Sequence, residues 1–231
     1  MTSTMKRIGL IGGISWAATA DYYRYINLEV RRRLGGHHSA HMIIRSLDLE
    51  PLLKQADDVP TLERVMFHAG EDLRAANADL LAIASFTGHR YARPLHQSSV
   101  PFVDLTQAIG AAVRSARYER IAVWATSYAL QDTALMSQLG TLSRAQLMPP
   151  PRDMHAALDR IVFSELAAGA LTERSTQTLQ QLLLQQVHEG AQALLLATTD
   201  FSPLLSALDA PVPLLDGARI HCHCLVDAAL A

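Results

Sequence analysis

Short apolar runs alternate along the chain with longer stretches in which apolar positions recur every third or fourth residue, the pattern of strands alternating with helices. Lys6 to Ile11 reads as a buried strand, Gly12-Gly13 as a tight turn, and Ser15 as the opening of a helix from about Ala17 to Leu34. Gly35-Gly36 closes that helix, and His41 to Ser46 is a second strand. After a turn at Asp57-Asp58 and Pro60, Leu62, Val65, Met66, Ala69, Leu73 and Ala76 form a helical stripe. Leu80 to His89, LLAIASFTGH, is an apolar run that stops at a hydroxyl-rich turn. A short helix before Pro94, a short strand at Pro101–Val103 and a helix from Thr106 to Ala116 follow.

The second half repeats the alternation. Arg120–Trp124 is a strand, Tyr128–Leu139 a helix, Ala145–Met148 a strand, and the prolines at 149–151 a stiff connector. Helices from His155 to Ala168 and from Thr176 to Glu189, separated by Gly169, lead to Gly190 and a run LLLATTD at Leu194–Asp200. Pro203, Pro211 and Pro213 mark a return loop into Leu214-Leu215-Asp216, and a last helix starts near Arg219. LLAIASFTGH and LLLATTD are twins, each an apolar run after a helix and a small-residue turn. The pattern therefore predicts an α/β chain of two similar lobes, each a mostly parallel sheet flanked by helices, with the site in the cleft between them. Residues 1–106 plus 209–231 would form the first lobe and 107–208 the second.

Composition narrows the function classes. The chain has 231 residues, 49% of them hydrophobic and 18% charged, with a formal net charge of -2. That balance gives a sizeable core and argues against disorder, a nucleic-acid footprint or attraction to an acidic membrane. Lys6, Arg7, the following apolar run and Ala18-Thr19-Ala20 imitate a secretion signal, but two glycines break the run, and no later stretch is long enough to span a bilayer. The two cysteines, Cys222 and Cys224, are one residue apart and too close for ordinary disulfide geometry, so a reducing, cytoplasmic setting is expected.

Several motifs are weaker than they look. Gly9, Gly12 and Gly13 lack the G-x-G-x-x-G spacing of a dinucleotide site, so their turn is read as one whose amides face the cleft. Of His37, His38 and His41 on an extended segment, at most His37 and His41 or Ser39 could converge on one face, no carboxylate stands at ligand spacing, and neither they nor His221-Cys222-His223-Cys224 predict a metal. The chemistry is expected instead at the strand ends. Ser85 and Thr198 are the candidate catalytic hydroxyls, with His89, four residues after Ser85, placed to activate it if the turn is helical. The plainer role for Ser85 is a helix cap, and for Thr198 a polar end to a buried strand. Asp104, Asp200, Asp216 and His221 are further candidate bases, and Asp200 and His221 complete the catalytic set.

IGLIGGISW, DYYRYIN, LGGHHSA, IVFSELAAG, EGAQALLL and the C-terminal RIH resemble the aspartate/glutamate racemase family over nearly the whole chain. The resemblance implies two α/β lobes, no cofactor, a homodimer, and a cysteine from each lobe on opposite faces of the substrate's Cα. At ASFTGH this chain keeps the family's threonine and histidine as Thr87 and His89, but Ser85 stands at the first cysteine and Phe86 at an asparagine that helps hold the substrate carboxylate. At ATTD, Thr198 stands at the second cysteine, Thr199 matches, and Asp200 is a shortened glutamate. Gly13, Ser15, Trp16, Phe86, Thr87, Thr126 and Thr199 are the candidate substrate contacts. Phe86 and Ala197 predict a cleft more apolar than a free amino acid needs.

Thiols titrate near 8.5, so they supply thiolates that alcohols do not. Activity toward aspartate or glutamate is therefore in doubt. Three functions stay open: cofactor-independent proton transfer next to a carboxylate, a lyase or hydrolase on the same scaffold, and a ligand-binding homologue without catalysis.

Overall fold

The computed structural model describes residues 5–166, 170–202 and 204–231. The chain divides into two compact units, Met1–Ala108 with Ala218–Ala231, and Ile109–Gly217. Both are α/β units with wholly parallel sheets, as the alternating pattern requires.

In the first unit β1 (Ile8–Gly12) leads through a tight turn into α1 (Trp16–Leu34), β2 (Met42–Ser46), a short α2 (Leu49–Leu53), α3 (Val59–Ala75) and β3 (Leu80–Ile83). The strand order is β2-β1-β3, so β1 is the central strand. Alternation works on both faces. Ile8, Leu10, Leu80 and Ala82 point into a cluster with Tyr22, Ile26 and Val30 of α1, and Ile11, Leu81 and Ile83 point into one with Leu62, Met66 and Leu73 of α3. Burial of each such aliphatic side chain stabilises the fold by roughly 1.5–3 kcal/mol. Asp58 caps α3 by accepting from the Thr61 N–H at 3.1 Å, which starts the predicted stripe in register.

Two short 3-10 turns, Thr87–Tyr91 and Arg93–Gln97, occupy the place of the single short helix expected before Pro94. The predicted strand at Pro101–Val103 is reduced to one parallel bridge, Leu81 with Phe102. Asp104 then caps α4 (Leu105–Ala116), which carries the chain from the first unit into the second.

The second unit comprises β4 (Arg120–Trp124), α5 (Ser127–Leu130), α6 (Thr133–Ser143), β5 (Gln146–Met148), α7 (His155–Arg160), α8 (Glu173–His188), β6 (Ala193–Leu196), α9 (Leu204–Ala207) and β7 (Leu214–Asp216), in sheet order β5-β4-β6-β7. The helix expected over 128–139 is broken in two because the Asp132 carboxylate accepts from the Leu135 N–H at 2.8 Å and starts α6 afresh. A π turn, Ile161–Glu165, continues α7. The predicted end of that helix at Ala168, with Gly169, and the loop residue Pro203 lie outside the described residues.

The return to the first unit comes later than the expected position 209. Leu214, Leu215 and Asp216 pair with Leu194, Leu195 and Leu196, so β7 belongs to the second sheet. The crossing falls between Gly217 and Ala218, inside α10 (Gly217–Leu230). Ala218, Cys222, Leu225, Val226 and Ala229 of α10 then complete the α1 side of the first core. Among the described residues no helix is long and apolar enough to cross a membrane.

The two units share one plan. Each has its first strand at the centre, its second on one side and its third on the other, and the register aligns Ile8–Leu80 with Ile121–Ala193. The Leu81–Phe102 bridge corresponds to the Leu194–Leu214 pair, which makes Asp104 the counterpart of Asp216, each placed just before a helix that crosses to the other unit.

Candidate active site

β3 ends at Ile83 and Ser85 lies two residues beyond it, and β6 ends at Leu196 with Thr198 two residues beyond. The two hydroxyls thus occupy the same position in the two units. Each is followed by a 3-10 turn, Thr87–Tyr91 in one and Thr199–Phe201 in the other.

In the first unit the Ser85 hydroxyl accepts from the Gly88 N–H at 3.1 Å, the capping role open to it from sequence. A Cβ at Gly88 would meet Ile14 Cδ1 at 2.8 Å and Ile83 Cγ2 at 3.0 Å, so this turn packs closely against the β1 loop and a larger residue would displace the Ile14 side chain. His89 reaches the Ser85 backbone rather than its hydroxyl. Its Nδ1 lies 2.7 Å from the Ser85 carbonyl, which only accepts, and its Nε2 accepts from the Leu105 N–H at 3.1 Å. Those partners specify one neutral tautomer. Burial pushes the His89 pKa down in the same sense, so the ring ties the β3 turn to the start of α4 rather than activating Ser85.

His221 is held the same way. Its Nε2 donates to the Val103 carbonyl at 2.8 Å and its Nδ1 is 2.9 Å from the Tyr22 hydroxyl, with the ring fully buried. Burial lowers its pKa to about 3, so near neutrality it is an uncharged link from α10 to α1 and the Phe102 segment, with both nitrogens engaged. Asp104 accepts from the Thr106 hydroxyl and the Thr106 and Gln107 N–H groups, and His96 Nε2 lies 3.1 Å from its other oxygen. Burial alone would raise the Asp104 pKa, but His89, these hydrogen bonds and His96 bring it below the usual carboxylate range.

The β1 turn differs from expectation in its amides. Gly13 has φ 80°, and a Cβ there would sit 2.0 Å from the Leu47 carbonyl oxygen, so glycine is required. Its N–H donates to Thr19 Oγ1 at 2.8 Å and is not offered to a ligand. Ser15 caps α1 through the Ala18 N–H at 3.2 Å, and Trp16, its first residue, is 75% exposed. Phe86 is buried, as is Ala197, so neither of the residues that predicted an apolar cleft reaches the surface.

In the second unit Thr198 Oγ1 accepts from the Thr126 N–H at 3.3 Å, which joins the end of β6 to the loop after β4. Thr126 and Thr199 are buried, whereas Asp200 is part-exposed. Ser202 stands where the first unit has His89, and its hydroxyl donates to Asp216 Oδ2 at 3.0 Å. One participant escaped sequence reasoning: Asp159 of α7 accepts from both the N–H and the hydroxyl of Ser127 and so fixes the loop that holds Thr198. A lone aspartate in HAALDRIVF carries no local signal for that contact.

The first unit thus gathers Ser85, Phe86, Thr87, His89 and Asp104 around one turn and links His221 to the segment leading into α4; the second gathers Thr126, Thr198, Thr199, Asp200 and Asp216 around the end of β6. Two parallel α/β units with a hydroxyl two residues past the third strand of each define the class as a repeated α/β fold. Residues 11–225 match the Asp/Glu/Hydantoin racemase family, and the chain belongs to that family. It is similar to a Yersinia pestis protein described as a candidate Asp/Glu racemase, at 28% identity over 98% of this chain and 100% of that one, with a TM-score of 0.90. An aspartate racemase homologue from Pyrococcus horikoshii shares the fold at 24% identity, covering 97% and 99% of the two chains, with a TM-score of 0.82. Glutamate racemase from Francisella tularensis, solved with D-glutamate, shares it at 15% identity and a TM-score of 0.67, over 98% of this chain and 81% of that one.

Proposed function

We propose that the chain carries out cofactor-independent proton transfer at the α-carbon of a small carboxylate-bearing substrate, with the Ser85 and Thr198 hydroxyls at the positions where thiols would serve and a carboxylate two residues beyond Thr198. The observation that supports this most directly is the identical placement of Ser85 and Thr198, two residues past the third strand of each unit. The two buried histidines hold elements together, so the base is assigned to Asp200, a part-exposed carboxylate two residues after Thr198. It accepts the α-proton and, once its own proton has exchanged with solvent, returns one to the same carbon. A positioned base of this kind contributes about 10²–10⁴-fold to rate.

Solvent-deuterium exchange at the α-carbon, followed by NMR over a panel of aspartate, glutamate, hydantoins and other small carboxylates, tests the reading. Exchange is expected with at least one member, and it falls by about 100-fold in Asp200→Asn. Exchange that Asp200→Asn leaves intact removes the assigned base. Saturable binding with no exchange in the unaltered protein establishes the alternative, a ligand-binding homologue, which is favoured by both hydroxyl oxygens being engaged by backbone N–H groups.

A further inference from the structure

Three imidazoles from three elements of the first unit grip three successive residues just ahead of α4. His221 of α10 donates from Nε2 to the Val103 carbonyl at 2.8 Å, and His96 of the second 3-10 turn places its Nε2 3.1 Å from an Asp104 carboxylate oxygen. His89 of the first 3-10 turn accepts the Leu105 N–H at its Nε2, 3.1 Å away. Asp104, Leu105, His89 and His221 are buried, whereas the His96 side chain is 40% exposed. The rings also pack together: the Phe102 centroid lies 5.8 Å from that of His89 and 5.0 Å from that of His96, and His89 and His221 are 6.0 Å apart.

The three contacts respond differently to a proton. A protonated His221 keeps both of its bonds, because the Tyr22 hydroxyl can turn to accept from Nδ1 while Nε2 still donates to Val103. A protonated His96 binds the Asp104 carboxylate more strongly. His89 has no such freedom. Its Nδ1 already donates to the Ser85 carbonyl, and a proton on Nε2 would confront the Leu105 N–H, a donor that cannot reverse. The neighbouring acceptor is Asp104, whose Oδ1 now caps α4 through the Thr106 and Gln107 N–H groups. Burial opposes the proton on His89 most strongly, Asp104 and the Ser85 carbonyl favour it, and His96 opposes it; His221, with Tyr22 of α1 behind it, is the remaining titratable neighbour and is itself disfavoured as a cation by His89.

We propose that this triple clasp is a proton-operated latch within the folded first unit: a proton on Nε2 of His89 turns an acceptor into a donor, so the ring releases the Leu105 N–H and passes to the Asp104 carboxylate, and the turn carrying Ser85 and Thr87 parts from the start of α4. In the released state the ring titrates near its ordinary value of about 6.5, so the latch is closed above that pH and release grows by up to about tenfold per pH unit below it. The inference stands whether or not the strand-end site transfers protons.

The test is amide hydrogen exchange followed by NMR on the full chain between pH 7 and 5, with the β4 amides as the reference for global unfolding. After correction for intrinsic exchange, the Leu105 amide is expected to lose protection by up to about tenfold per pH unit below 6.5, while remaining less protected than β4 throughout. His89→Gln, whose side-chain carbonyl can still accept from Leu105 but takes up no proton, should hold protection level across the range. His96→Gln should raise release at pH 6 about threefold, because it removes the charge that opposes a proton on His89 and competes for Asp104. Circular dichroism melting curves check that both variants are folded. Leu105 protection equal to that of β4 at every pH, or a pH dependence that His89→Gln leaves unchanged, overturns the latch. Release that His96→Gln leaves unchanged or lowers overturns the transfer to Asp104.

Discussion

The two units carry the same strand plan and secure their strand-end hydroxyls by different means. In the first, Ser85 is bound within its own turn by the Gly88 N–H, and the next fixed point is a buried imidazole, His89, that reaches the start of α4. In the second, Thr198 is bound across the sheet by the Thr126 N–H, and the residue in the place of His89 is Ser202, bonded to Asp216. One unit therefore fixes its hydroxyl locally and ties the turn down with a histidine; the other depends on a neighbouring loop braced by Asp159. A repeated backbone plan sets where a side chain emerges, and the local partners set what that side chain is free to do.

The comparison is broken most severely at Phe86 and its counterpart Thr199, both buried. Phe86→Asn leaves a cavity and an unpaired amide and should cost about 4 kcal/mol, whereas Thr199→Asn should cost about 1–2 kcal/mol, both read from urea unfolding. A similar cost at the two positions would remove the contrast in packing between the two turns.

A smaller contrast is expected one turn further on. His89→Ala orphans the Ser85 carbonyl and the Leu105 N–H and should cost about 3 kcal/mol, while Ser202→Ala loses one bond to Asp216 and should cost about 1 kcal/mol, again from urea unfolding. Equal losses would remove the distinction between a histidine-tied and a hydroxyl-tied turn.

The third expectation concerns pH and belongs to the first unit alone. The folded pKa of His221 is about 3, below its ordinary value of 6.5, so the unfolded chain takes up the proton first. Its contribution is intact above 6.5 and is lost as pH falls from there toward 3, and His89, lowered in the same direction, adds to the loss. Between pH 7 and 5 the stability should drop by about 2 kcal/mol from His221, and His221→Gln should flatten that slope. A slope unchanged in His221→Gln would mean that the imidazole is not the buried neutral group described.

The sequence by itself determined the parallel α/β plan, because period-2 runs buried on both faces and 3.6-period helices leave few other ways to bury the apolar residues. It also located the two strand-end turns and the Ser15 and Ser85 caps, since strand ends and caps are local chemistry written in adjacent residues. The tertiary structure alone decided what lies far apart in the chain. The assignment of Leu214–Asp216 to the second sheet follows from pairing with β6, which a proline-rich loop does not announce. The same holds for the histidines: nothing near His89 or His221 foretells Leu105, Tyr22 or Val103, yet those partners fix the tautomers and turn two candidate bases into buried ties. A side chain's own chemistry is given by its identity, but its protonation and freedom depend on burial and on hydrogen-bond partners that only the folded chain brings to it.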